Sequence, residues 1–300
     1  MEDELITIIE KVFKDNRELK NSKEYILGNS IYVFGDMVKK FDIKGILKKV
    51  QQRKKNKLKG SIKSLNDTIY PTYEGEDKIA VYTCITGKYD ELLEPIYNDP
   101  KCDYFIFTDN EEFKTKKVIK KNIPEDVKKI NNAILENRYI KMHPYELFDN
   151  KKYRYAIYID GNIQPVTNIS SFVNKIDKNV GISMHSHSIR KCIYEEAEVL
   201  KLLKKGNINN IDKQMEKYRS NHYPVHNGLA EANVIVSDLK NDNAIKIFQE
   251  WWKEFLESAS MRDQLSLPYV VWKCGYKMDQ LISLGKNVYD NPKIVVRMHK

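Results

Sequence analysis

From Lys78 onward the chain alternates short apolar runs with stretches of helical periodicity, and that alternation restricts it to a layered α/β sheet. Residues 79–84 and 104–108 read as buried strands, with Gly87 and Pro95 punctuating a loop and a short helix between them. Val127, Ile130 and Ile134 mark a helix running to about Met142. Residues 155–159, 180–184 and 233–236 follow as strands. Ile245, Phe248, Trp252 and Phe255 mark a late helix, and residues 294–298 a last strand. Ligands in such sheets bind beyond the carboxyl ends of the strands, so the residues just past each strand are the first place to look for chemistry.

Residues 1–77 have a different texture. Leu5, Ile8, Ile9, Val12 and Phe13 recur at helical spacing, and a second apolar stretch carries Ile31, Phe34, Met37, Val38 and Phe41. Then come Lys48, Lys49, Arg53, Lys54, Lys55, Lys57, Lys59 and Lys63 with no acid among them, which account for nearly all of the formal charge of +9. A turn-rich link, Tyr70 to Asp77, closes the region. We expect a helical, basic appendage over 1–77 and a main domain over 78–300. The basic run fits a solvated linker or a contact with an anionic membrane surface, where each Lys or Arg contributes about 1 kcal/mol. Nucleic acid is disfavoured, because the run has no aromatic residue on which a base could stack.

Cys84, Cys102, Cys192 and Cys274 form no CxxC pair and no zinc-finger spacing, so a reducing compartment is expected. No apolar run is long enough to span a bilayer, and the acidic start Met1-Glu2-Asp3-Glu4 does not read as a secretory signal. These features together suggest a cytoplasmic protein, peripheral at a membrane if the basic run binds one.

Several constellations could carry chemistry. The strand Tyr155-Ala156-Ile157-Tyr158-Ile159 stops at Asp160-Gly161-Asn162. A carboxylate followed by glycine at a strand end can face a cleft with the backbone close to a ligand, and a hard oxygen there can hold a divalent cation. By itself the tripeptide fits an ordinary turn better. Continuing the Val127-Ile130-Ile134 stripe brings Arg138 and Lys141 onto the inward face, where two cations suit an anion or simply cover the helix end. Thr83 to Asp90 follows the first strand, with Thr83, Gly87 and Lys88 able to meet a nucleotide, although the P-loop spacing is absent. Asp109, past the second strand, could contact a base or ribose. A polar band in the second half holds His185, His187, Arg190, Glu195, Glu196, Glu231, Asn233, Arg262, Asp263 and Gln264. Such groups suit a hydroxyl-rich acceptor, with one carboxylate able to act as a base. Capping and solvent-facing roles fit several of them equally, Asp263 as a first-turn acid among them. His299 could fray at the chain end or fold back onto a metal.

Taken in order, Tyr82 to Asp90, Phe107-Thr108-Asp109, Asn137 to Lys141, Tyr158 to Asn162, Tyr194 to Ala197 and Arg262 to Ser266 resemble a glycosyltransferase-like family with bacterial and plant Golgi members, long catalogued as a domain of unknown function. More distantly the chain is similar to the glycogenin and galactinol synthase group of retaining GT-A enzymes. The resemblance implies a GT-A-like, Rossmann-type mixed sheet flanked by helices and a sugar transfer from a nucleotide-sugar donor to a glycan or glycolipid acceptor, as in surface polysaccharide synthesis. It implies that Thr83, Lys88, Asp109, Arg138, Lys141 and Asp160 hold the donor. Asp160, Asn162 and His299 would hold a cation, manganese or magnesium. Asp263, Glu195 and Glu231 would be catalytic, with His185, Arg190, Asn233, Arg262 and Gln264 on the acceptor and sugar side. Asn162 stands where the motif has Asp, which weakens the cation site and leaves open a GT-A-shaped binding or scaffold protein without turnover.

Overall fold

The computed structural model describes residues 70–87 and 92–297. The chain divides after Ile69, and everything described belongs to the unit that begins at Tyr70. Residues 1–69, with the basic run, lie outside the described residues, as do Lys88 and His299.

The elements run β1 (Lys78–Ile85), β2 (Cys102–Thr108), β3 (Ile119–Lys121), α1 (Glu125–Lys128), α2 (Ala133–Met142), α3 (Pro144–Leu147), β4 (Tyr153–Ile159) and β5 (Ile163–Pro165). A 3-10 segment, Ser170–Lys175, leads to β6 (Ile182–Ser186), α4 (Ile193–Leu202), α5 (Ile208–Ser220) and β7 (Ala230–Asp238). Then come α6 (Asp242–Ser258), α7 (Asp263–Lys273), α8 (Met278–Leu281) and β8 (Ile294–Val296). Six strands form one sheet in the order β3-β2-β1-β4-β7-β6. β3, β2, β1 and β4 are parallel, whereas β7 runs antiparallel to both β4 and β6. The sheet is therefore mixed and flanked by helices, the α/β architecture expected of the sequence.

Both faces of the sheet are covered, which is why its strands read as continuous apolar runs rather than alternating ones. The two-residue period still sorts them. Ala80, Tyr82 and Cys84 of β1 face one core with Ala156 and Tyr158 of β4, packed under Phe248, Trp251 and Phe255 of α6. Ile79, Val81 and Ile85 face the other with Ile157, Ile159 and Phe172. A third cluster joins α4, α5 and α7 through Ile193, Leu200, Tyr218 and Tyr269.

Three expectations change. The helix expected through Val127 to Met142 is two pieces, because Asn131 takes a positive φ of 52° and Asn132 caps α2, its side chain accepting from the amides of Ile134 and Leu135. The last strand does not join the main sheet but pairs antiparallel with β5, Ile163 opposite Val296. The turn-rich link packs against the domain: the Tyr70 hydroxyl donates to the Leu284 carbonyl at 2.7 Å, and Tyr73 is buried.

Candidate functional site at the carboxyl edge of the sheet

Asp160 follows β4 directly, and its amide donates to the Asn233 carbonyl at 2.9 Å. Because β7 is antiparallel to β4, its first half lies at the same edge, with Ile159 opposite Val234. β6 extends the edge, pairing His185 with Glu231. α7 starts here too, since the Gln264 side-chain amide donates to the Ala230 carbonyl at 2.8 Å. Topology thus gathers Asp160, Asn233, Glu231, Asp263 and Gln264 from three separate stretches of sequence.

α2 lies along the end of β1. The Asn137 amide donates to the Cys84 carbonyl at 2.8 Å, and Thr86 Oγ1 to the Ala133 carbonyl at 3.1 Å. That docking turns Arg138 and Lys141 inward, while Ile134 is exposed. Lys141 Nζ meets Asp263 Oδ2 at 2.7 Å, and Arg138 Nε approaches the same oxygen at 3.2 Å. The Arg138 guanidinium also donates to Asn137 Oδ1. Lys141 sits 5.3 Å from the centre of the Tyr158 ring, within range of a cation–π contact.

Burial alone would raise the Asp263 carboxyl; Arg138 and Lys141, with Arg262 behind them, outweigh it and hold the group well below the usual carboxylate range. Burial alone would lower Arg138; Asp263, then Tyr158 and Asp160, offset that and push it up. Three cations, Arg138, Lys141 and Arg262, therefore act on Asp263, and Arg138 also feels Asp160.

Beside it, a recess of about 310 Å³, measured with its open mouth, is lined by Thr83, Tyr104, Asp160, Gly161 and Ile163. Thr83 Oγ1 is buried there with no hydrogen-bond partner among the described residues. Asp109 is exposed and accepts from the Gly87 amide at 3.0 Å, tying the loop after β1 to the end of β2.

Asn162 is held from the other side. Its Nδ2 donates to the Arg297 carbonyl at 3.0 Å, and the Arg297 amide returns to the Asn162 carbonyl at 2.7 Å. The β5–β8 pairing thus carries the chain end to the Asp160 turn. Because Nδ2 is engaged by a carbonyl, Asn162 Oδ1 is the atom left to act as an acceptor or ligand. One carboxylate and one amide oxygen are hard donors that fit magnesium or manganese.

The polar band divides. Arg190 Nε donates to Glu196 Oε2 at 2.5 Å, and His187 Nε2 stands 3.7 Å from carboxylate oxygens of both Glu196 and Glu231. Glu195, expected to be catalytic, is exposed, and its partner is His226 at 3.4 Å. Adjacent residues on a helix point about 100° apart, so Glu196 takes the inward position and Glu195 the outward one. His185, expected on the sugar side, is fully buried: its Nε2 meets the Asn291 amide at 2.7 Å, and burial pushes its pKa down to about 3. It belongs to the core under Phe172 rather than to an open cleft. Reading the sequence gave no role to Asn132, and it quoted Asn137 and Tyr158 only as part of the stretches that carry the resemblance. The Asn131-Asn132 pair ahead of an apolar run is a helix-start signal that would have found the first.

A mixed sheet with carboxylates and cations assembled at its carboxyl edge is an arrangement suited to a charged ligand. The chain belongs to the TOD1/MUCI70 family, described as a glycosyltransferase-like domain, whose sequence model matches residues 45–299. The match begins ahead of Lys78, inside the region read as an appendage. No curated protein matches the chain. Among solved structures it is similar to mouse xyloside xylosyltransferase 1 in its apo form, at 8% identity over 68% of this chain and 83% of that one, TM-score 0.39. It is also similar to the bifunctional glycosyltransferase WbbM, at 13% identity over 72% and 40%, TM-score 0.44. A third is core-mannan synthase A from Aspergillus fumigatus in its Mn/GDP form, at 13% over 68% and 73%, TM-score 0.37. All three likenesses are distant.

Proposed function

We propose that this domain transfers a sugar from a nucleoside-diphosphate donor to a glycan or glycolipid acceptor. One observation carries the reading: Arg138 and Lys141 converge on buried Asp263 beside Asp160, at the strand ends where α/β sheets bind ligands. The leaving diphosphate would meet Arg138, Lys141 and Arg262, whose charge is only partly compensated. Thr83, with its unpartnered hydroxyl, and Asp109 would face the nucleoside, along with Lys88. Both cations meet Asp263 at Oδ2, so Oδ1 is available to accept from a donor-sugar hydroxyl, and Gln264, Asn233 and Arg190 would orient the sugars. Glu231 is the carboxylate offered as the acceptor-side base.

Asp160 and the Asn162 oxygen would hold a manganese or magnesium ion with His299. Such an ion neutralises the charge that develops on a leaving diphosphate. We further propose retention at the anomeric carbon, a role in surface polysaccharide synthesis, a cytoplasmic setting, and an anionic membrane contact through residues 48–63. Among the described residues no helix is long and apolar enough to cross a membrane.

Calorimetry of the full chain with each nucleoside diphosphate and manganese tests the donor site. One nucleotide should bind, with affinity reduced at least about tenfold in Asp160→Ala, a difference of about 1.4 kcal/mol. Binding by none would sink the reading. A binding protein without turnover is the second reading, favoured by the neutral Asn162 side chain and its use in holding Arg297. Turnover of a nucleotide sugar that disappears in Asp160→Ala would eliminate it.

A further inference from the structure

Cys192, Glu195 and His226, which the proposed function does not use, bring three ligand atoms within 4.8 Å of one another. Cys192 occupies the N-cap position of α4 without a side-chain capping bond, Glu195 lies in the first turn, and His226 comes from the loop between α5 and β7. We propose that this trio is a cation site of the zinc class, independent of the donor site.

Four observations converge. Sulfur, imidazole nitrogen and carboxylate oxygen are the borderline donor set that zinc takes and that magnesium and manganese do not favour. His226 Nδ1 stands 3.4 Å from Glu195 Oε1, and two ligands at 2.0–2.1 Å on a tetrahedral ion are about 3.4 Å apart. That pair is already spaced for chelation, and the buried Cys192 sulfur, within 4.8 Å of both ligand atoms, has at most about 1.3 Å to close. Next, His226 holds a positive φ of 54°, an uncommon and strained conformation for a non-glycine residue whose side chain is two-thirds exposed. Finally, the backbone around the trio is fixed before any ion binds. The Gly228 amide donates to the Lys191 carbonyl at 3.0 Å, and the Tyr194 hydroxyl to the Tyr223 carbonyl at 3.1 Å.

Binding a cation through sulfur replaces the Cys192 S–H proton, which is released to solvent. Three protein ligands leave a fourth position for water. The ion would staple the 221–229 loop onto the start of α4.

The test uses tag-free full-length protein reduced without added thiols, titrated with zinc against a chromogenic chelator and, separately, with cobalt(II). One equivalent should bind, and cobalt should give a near-ultraviolet thiolate charge-transfer band. Cys192→Ser should abolish the band, and His226→Ala and Glu195→Gln, both at exposed positions, should each weaken zinc at least about tenfold. Asp160→Ala should leave all of this unchanged, which separates the site from the donor site. Absence of binding, equal binding by the three variants, or loss of the band in Asp160→Ala would each overturn the proposal. If Cys192→Ser does not fold, as judged by circular dichroism, the His226 and Glu195 variants decide it.

Discussion

The Lys141 ammonium lies 2.7 Å from the Asp263 carboxylate across 122 positions of sequence, joining the end of α2 to the first turn of α7. Both side chains are nearly fully buried, and Arg138 completes the group. Removing the carboxylate leaves two cations uncompensated in the interior. Asp263→Ala should therefore lower stability by about 3–5 kcal/mol, read from urea unfolding. A loss below about 1 kcal/mol would mean that the pair is solvated.

The same carboxyl imposes an acid limit. Its folded pKa is depressed, so its stabilisation is complete above the unfolded value of about 3.9 and is lost as pH falls from there towards the folded value. Asp263→Asn should flatten the stability profile below about pH 4 while leaving the neutral-pH slope unchanged.

His185 acts at higher pH. Its folded pKa is about 3 against a reference of 6.5, so between these values the unfolded chain binds a proton that the folded chain excludes. Stability should rise with pH across that window by up to about 1.4 kcal/mol per unit from this group. Buried His143 is lowered in the same direction and adds to the slope. Urea midpoints at pH 4, 5, 6 and 7 check this: His185→Gln should show a shallower slope, and an identical slope would count against a neutral buried imidazole.

Asn132 fixes where α2 begins, and α2 carries Arg138 and Lys141, the two cations proposed to meet the donor diphosphate. Asn132→Ala should cost about 1 kcal/mol of stability through the lost cap. On the proposed function it should also weaken nucleotide binding although the residue is not assigned to the ligand. Asn132→Asp, which keeps the cap, should restore both readings.

At Gly206 the backbone has a φ of +82°, and an added Cβ would lie 2.6 Å from the Ser260 carbonyl oxygen. Gly206→Ala should destabilise by roughly 1–3 kcal/mol, visible as a lowered thermal midpoint. It should also disturb Arg262, whose side chain lies 2.8 Å from the same point.

Local pattern alone determined the long strands, whereas the three-residue β3 and β5 carry no apolar run that would announce them. Residues 79–84, 104–108 and 155–159 are apolar because both faces of β1, β2 and β4 are covered, and runs of that kind admit few other readings. The start of α7 at Asp263 and the position of Asp160 just past β4 were legible for the same reason. The break before α2 was not, because the stripe from Val127 to Ile134 looks continuous until Asn131 takes a positive φ. Nor could the sequence decide which member of the polar band turns inward. Glu195 and Glu196 are chemically alike, and only the packing of α4 gives Glu196 to Arg190 and Glu195 to His226. His185 was expected on the acceptor and sugar side, yet the β6–β7 pairing and Asn291 seal it in the core. Propensity and hydrophobic period act over a few residues, so they set the elements. The meeting of Arg138, Lys141 and Asp263 depends on which strands adjoin and which way β7 runs, and only the tertiary structure decided that.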